Sequence, residues 1–101
     1  MFNSEFPAPL PNDPDYVYEN AAFLALGHPP SRRILELLRV QPRTAFELSP
    51  HVSGHIHATD RWLRDLEATG FVSSTVVAKS KVYRLEGNAM ERVRTWLAGF
   101  D

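Results

Sequence analysis

The sequence predicts a mainly helical α+β domain in which four helices precede a two-stranded hairpin and a fifth helix closes the chain. Three observations carry this. Apolar residues recur at helical spacing in stretches separated by Pro and Gly. The stretch rich in Val, Ser and Thr lies late, at 71–85, and is split by a basic tetrapeptide. A length of 101 residues suits one modest core.

Residues 1–12 contain Pro7, Pro9 and Pro11. Prolines spaced by two deny regular hydrogen bonding, so this segment is expected to be an extended, flexible acidic tail, with the folded domain spanning 13–101. Asp13 and Pro14 form an N-cap and first-turn pair, and the first helix is expected over Tyr16 to Leu26, before Gly27 and the Pro29-Pro30 stop. The Pro pair also fits the first turn of a second helix, Ser31 to Arg39, with Ile34, Leu35, Leu37 and Leu38 on one face and Pro42 beyond its end. Thr44-Ala-Phe-Glu47 is a capping-box pattern that starts a third helix. Pro50 collides with the carbonyl four residues back, so that helix is expected to stop or kink near Ser49.

The fourth helix is predicted over His57 to Thr69, with Gly70 as its left-handed cap. Its inner face is Thr59, Trp62, Leu63 and Leu66; the opposite face collects His57, Ala58, Arg61, Arg64 and Asp65. The hairpin pairs Phe71–Val77 with Val82–Leu85 around the tip Ala78-Lys79-Ser80-Lys81. Asn88 is the expected cap of the last helix, whose stripe is Met90, Val93, Trp96, Leu97 and Phe100.

Composition removes several classes of function. With no cysteine, disulfides, thiolate ligands and thiol redox switching are excluded. No apolar run approaches the roughly 20 residues that cross a bilayer, and the start lacks the basic and apolar regions of a secretion signal, so no membrane association and a cytoplasmic location are expected. The net charge is -1, but it is unevenly spread. Residues 1–27 carry -4, segments 28–50 and 51–85 carry +2 each, and the end from 86 carries -1. The middle, 28–85, is basic and the N-terminal quarter is acidic.

Short helices, then a longer one, then a hairpin with a basic tip is the layout of a winged helix-turn-helix, which places a helix in the DNA major groove. The run Phe23-Leu-Ala-Leu-Gly-His-Pro-Pro-Ser-Arg-Arg-Ile-Leu-Glu-Leu-Leu38 resembles the opening of ArsR-type winged-helix repressors, in which a Leu-Gly-His-Pro turn precedes an Arg-Ile-Leu-x-Leu-Leu helix. Glu47-Leu48, Leu63-Arg-Asp-Leu-Glu-Ala-Thr-Gly-Phe-Val72 and Val82-Tyr-Arg-Leu85 follow in the same order and spacing, so the resemblance covers roughly residues 16 to 100.

The resemblance implies a homodimeric, sequence-specific transcriptional repressor whose partner is double-stranded DNA. The dimer would use the first and last helices, through Tyr16, Phe23, Met90, Val93, Trp96, Leu97 and Phe100. His55, His57, Ala58, Arg61 and Arg64 would meet the major groove, while Lys79, Lys81 and Arg84 on or beside the wing would contact the backbone. The chain departs from the family pattern at Gly54, where Leu is usual and a shifted phase into the reading helix is expected. It departs again at Ile56, often polar, and at Asp60, often Ser.

The cluster His51, His55 and His57 raises the question of a metal or catalytic site. Family members often bind metal through cysteine pairs on the third helix or through Asp and His on the last; both sets are missing here. His55 and His57 are two apart and point to different faces of a helix or strand, so neither a metal nor a cofactor is expected. No hydrolase motif accompanies the histidines, and an enzyme is not expected. They read either as a solvated surface turn or as the edge of a DNA-facing surface. Two competing functions remain: a protein-binding winged helix without specific DNA affinity, consistent with the charge of -1 and with Asp60 and Asp65, and a DNA switch driven by histidine protonation. An effector, organic or protein, is left open.

Overall fold

The computed structural model describes residues 14–101, with side chains from residue 20 onward. The proline-rich tail and the side chain of Tyr16 lie outside the described residues. Helix α1 spans Pro14–Leu26 and α2 spans Pro29–Val40. Pro29 and Pro30 occupy the first two positions of α2, where no amide donor is needed, so the helix begins two residues before the expected Ser31.

Of the expected stop or kink near Ser49, helix α3, Ala45–Val52, corrects the stop: Pro50 lies inside it and the helix runs on to Val52. Only the bond to the carbonyl of Phe46 is forfeited, and Phe46 is exposed, so water can replace the missing donor. The capping box forms as read. The Glu47 amide donates to Thr44 Oγ1 at 3.1 Å and the Thr44 amide to Glu47 Oε1 at 2.9 Å. The bonds from Thr44, its backbone amide foremost, hold the Glu47 carboxyl below its ordinary value. A depressed carboxyl stabilises the fold above its unfolded pKa, and that contribution fades as pH falls through its folded value. Thr44→Ala removes one of the two bonds and is expected to cost about 1 kcal/mol. Thermal unfolding followed by circular dichroism should register a fall of about 4–8 °C; an unchanged midpoint would contradict the cap's role.

Helix α4 spans Ile56–Ala68, starting and ending one residue earlier than expected, and Gly70 adopts the left-handed φ of 85°. Strand β1, Arg43–Thr44, was not anticipated; two residues carry no alternation to read. It pairs antiparallel with β3, Ser80–Leu85, which in turn pairs with β2, Val72–Val77, giving the order β1-β3-β2.

The register Val77↔Ser80 leaves only Ala78 and Lys79 as the turn, with φ of 50° and 67°. Two positive φ values define the hairpin turn whose twist matches the strands, so the expected four-residue tip contracts to two and Ser80 and Lys81 join β3. Alanine bears a steric penalty there that glycine escapes. Ala78→Gly is expected to stabilise the fold by about 0.5–1 kcal/mol after the entropy of the freer unfolded chain is subtracted, visible as a raised unfolding midpoint.

Helix α5 spans Gly87–Ala98, and its N-cap is Glu86 rather than the expected Asn88. Glu86 is fixed by the sheet: its amide donates to the Phe71 carbonyl at 2.9 Å and its Oε1 accepts from Ser73 Oγ at 2.6 Å. The core joins Ile34, Leu35 and Leu38 of α2 to Leu48, Leu63, Leu66, Phe71 and Tyr83. Thr59, Leu63 and Leu66 are each 0 % exposed, which fixes the rotation of α4 and turns its other face outward.

Candidate nucleic-acid interface

The turn into α4 is held by its own polar groups. Gly54 takes a φ of 76°, and its amide donates to the Ser49 carbonyl at 2.8 Å, closing α3. Ser53 Oγ accepts from the His55 amide at 3.0 Å and lies 3.1 Å from Thr59 Oγ1. Thr59 Oγ1 also donates to the His55 carbonyl at 3.1 Å. Glycine at this position therefore serves a left-handed bend, and the inner face of α4 keeps the phase expected from the sequence; the anticipated shift is confined to a start one residue earlier.

His55 sits at the N-cap of α4 without a side-chain cap bond, and His57 lies in the first turn. His51 belongs to the last turn of α3. All three are exposed. Among the described residues, no group of three or more His, Asp or Glu side chains is placed to hold a metal ion.

Along the outward face of α4, His57, Arg61, Arg64 and Asp65 are exposed and Ala58 is half-buried. Asp60, the residue most at odds with a DNA-facing helix, forms an ion pair with Arg64, Nε to Oδ2 at 3.4 Å. The pair mutes both charges: Asp60 repels a phosphate less, and Arg64 is less free to reach a base. Arg61 makes no hydrogen bond or ion pair among the described residues, leaving all five of its donors available.

The wing is tied to the flank of α4 by Glu67, a residue with no signal in the sequence pattern. Glu67 Oε2 accepts from Ser74 Oγ on β2 at 2.6 Å, and Oε1 meets Lys81 Nζ on β3 at 3.5 Å. Lys81 Nζ also stands 5.4 Å from the Tyr83 ring centroid. Tyr83 first and Glu67 second push the Lys81 ammonium above its ordinary pKa, so it stays charged. Arg84 donates to Thr75 Oγ1 across the hairpin at 3.0 Å. Lys79, at the turn, is exposed and has no hydrogen bond or ion pair among the described residues. A cavity of about 330 Å³ separates α4 from the wing, lined by Asp60, Ser80, Lys81 and Tyr83 together with Thr44 and Phe46. The expected DNA-facing residues thus fall on one helix face and one hairpin joined through Glu67.

The α5 stripe divides in two. Met90 and Val93 are half-buried against the chain's own core. Trp96, Leu97 and Phe100 are 44 %, 54 % and 73 % exposed. Trp96 packs edge-on between Phe23 of α1, centroids 4.9 Å apart, and Phe100, at 4.7 Å. An aromatic row therefore runs from α1 across α5 to Phe100 beyond it, half-buried at Phe23 and exposed at Trp96 and Phe100.

No family model and no curated protein matches the chain. Solved structures do. An ArsR-like transcriptional regulator from Rhodococcus sp. RHA1 superposes with a TM-score of 0.74 at 24 % identity, covering 85 % of this chain and 81 % of that one. The homodimeric winged helix-turn-helix DNA-binding domain of a possible ArsR-family regulator from Mycobacterium bovis gives 0.69 at 16 % identity, over 94 % and 89 %. The transcriptional repressor BigR from Xylella fastidiosa gives 0.60 at 23 % identity, over 81 % and 85 %. This chain has the winged helix-turn-helix fold of ArsR-type transcriptional regulators. Among its described residues, no helix is long and apolar enough to cross a membrane.

Proposed function

We propose that this protein is a homodimeric, sequence-specific DNA-binding regulator of the ArsR type, acting as a repressor. The reading rests on one arrangement: an outward helix face bearing Arg61, without an ion pair among the described residues, beside exposed His55 and His57, flanked by a wing that carries Lys79, Lys81 and Arg84. Helix α4 lies in the major groove, where Arg61 presents two parallel donors to guanine. The wing runs along the backbone, where lysine serves phosphate oxygens. Repression follows from occupancy of a promoter site, and BigR, of the same fold, is a repressor.

The exposed Trp96, Leu97 and Phe100, joined to α1 through half-buried Phe23, support dimerisation through α1 and α5. A two-fold dimer reads two half-sites about one helical turn apart. The relative from Mycobacterium bovis is itself homodimeric. Selection of bound duplexes from a random-sequence pool tests the reading. A palindromic consensus with half-sites about 10 base pairs apart is expected. Failure to enrich any sequence would favour the alternative, a winged helix that binds protein, to which exposed Val76 and Val77 beside the wing tip lend an apolar surface.

A further inference from the structure

A cavity of about 610 Å³ lies between α1, the start of α2 and the flank of α4 away from the wing. Its size is that of a site for a small organic molecule, and its lining has the usual character of one, an apolar body with a few convergent polar groups. Leu24 and Trp62 supply apolar walls, and Ala68 leaves room between them. The polar side chains are His28, Ser31, Arg61, Asp65 and Thr69, of which Ser31 is bonded to His28 and Thr69 to the Leu66 carbonyl. The imidazole of His28 is fixed by a 2.8 Å bond between Nδ1 and Ser31 Oγ and by an edge-on contact with the Trp62 indole at 5.1 Å, which leaves Nε2 for a ligand.

The charges at this cavity contrast with those on the other side of α4. Asp60 and Arg64, acid before base, are paired. Arg61 and Asp65 have the same spacing in the less favourable order, base before acid, and form no ion pair among the described residues. One open cation and one open anion, a helical turn apart at the edge of an apolar cavity, match a molecule that carries both charges on one end and a ring on the other.

We propose that this cavity binds a small aromatic zwitterion of the amino-acid class, with its carboxylate on Arg61, its ammonium on Asp65 and its ring between Leu24 and Trp62. In its regulatory consequence the inference rests on the function proposed above. Arg61 is also the base-reading side chain, and a bound ligand withdraws it, so ligand and DNA weaken each other's binding by the same factor.

The test begins without DNA. L-phenylalanine is titrated into the full chain while the indole N–H signals of Trp62 and Trp96 are followed by NMR, assigned through Trp62→Phe. A saturable shift of the Trp62 signal with Trp96 unmoved is expected. Phenylacetate and phenethylamine, each lacking one charge, should bind about tenfold more weakly or worse, because each leaves a polar partner unmet. Asp65→Asn should erase the preference for L-phenylalanine over phenylacetate. Ala68→Leu should fill the cavity and abolish the shift with the unfolding midpoint maintained. No saturable shift with L-phenylalanine, or equal binding of all three compounds, overturns the site. A second arm adds L-phenylalanine to protein bound to its selected duplex: release supports the coupling, and binding without release overturns it. Because the first arm needs no operator, its outcome is independent of whether specific DNA binding is found.

Discussion

Trp96→Asp is expected to turn the proposed dimer into a folded monomer at micromolar concentration and to abolish binding to the selected duplex. Trp96 is 44 % exposed and holds the centre of the aromatic row between Phe23 and Phe100. A central aromatic anchor of an interface typically contributes 2 kcal/mol or more, on the order of a 30-fold change in affinity. In a two-fold interface every substitution appears twice, so the combined loss is on the order of a thousandfold, enlarged by placing a carboxylate where apolar surface was buried. Sedimentation velocity reads the association state, and circular dichroism verifies that the monomer is folded. Met90→Ala is the contrasting control: Met90 packs on the chain's own core, so its loss should lower the unfolding midpoint and leave dimerisation largely intact. A Trp96→Asp protein that still sediments as a dimer would remove α5 from the interface and, with it, the two-half-site geometry.

Elements with a strong period are legible in the sequence alone. Helix α4 has Thr59, Leu63 and Leu66 at positions where a 3.6-residue repeat can be read directly, and all three are fully buried. The capping box at Thr44 is legible because two specific side chains must be three apart. Features set by tertiary partners were not. β1 exists because β3 offers it a free edge, and Arg43-Thr44 holds no pattern that foretells this. Glu86 displaces Asn88 as cap of α5 because Phe71 and Ser73 hold it in place, a long-range condition that overrides local preference. The two-residue turn at Ala78-Lys79 runs against local chemistry, since neither residue favours a positive φ; the strand register imposes it.

The same distinction applies to the site. That Arg61 and Arg64 share an outward face follows from helical geometry. That only Arg61 is open does not, because it depends on which aspartate each arginine meets. Asp60 looked like an obstacle to DNA as a bare charge near a phosphate backbone. Paired with Arg64 at 3.4 Å, it leaves Arg61 as the arginine of the two on the outward face that has no ion pair among the described residues.

Arg61→Ala is accordingly expected to cost about 1–3 kcal/mol on the selected duplex and to flatten the preference at the base pair it reads, with little loss on random DNA. Arg64→Ala should cost less, because its guanidinium is already shared with Asp60. On the wing, the cation most open to a phosphate is Lys79. Lys81 would have to give up Glu67 and its place over the Tyr83 ring to reach one, whereas Lys79 makes no competing contact among the described residues. Lys79→Ala should therefore weaken specific and random duplexes alike and lower the slope of log affinity against log salt by about 1. Lys81→Ala should produce a smaller change of the same kind, since part of its charge is already spent on Glu67. Fluorescence anisotropy on both duplexes across a salt series separates these outcomes. Equal losses on specific and random DNA for Arg61→Ala would place base reading elsewhere on the helix, with His55 and His57 next in line at its N-terminal end.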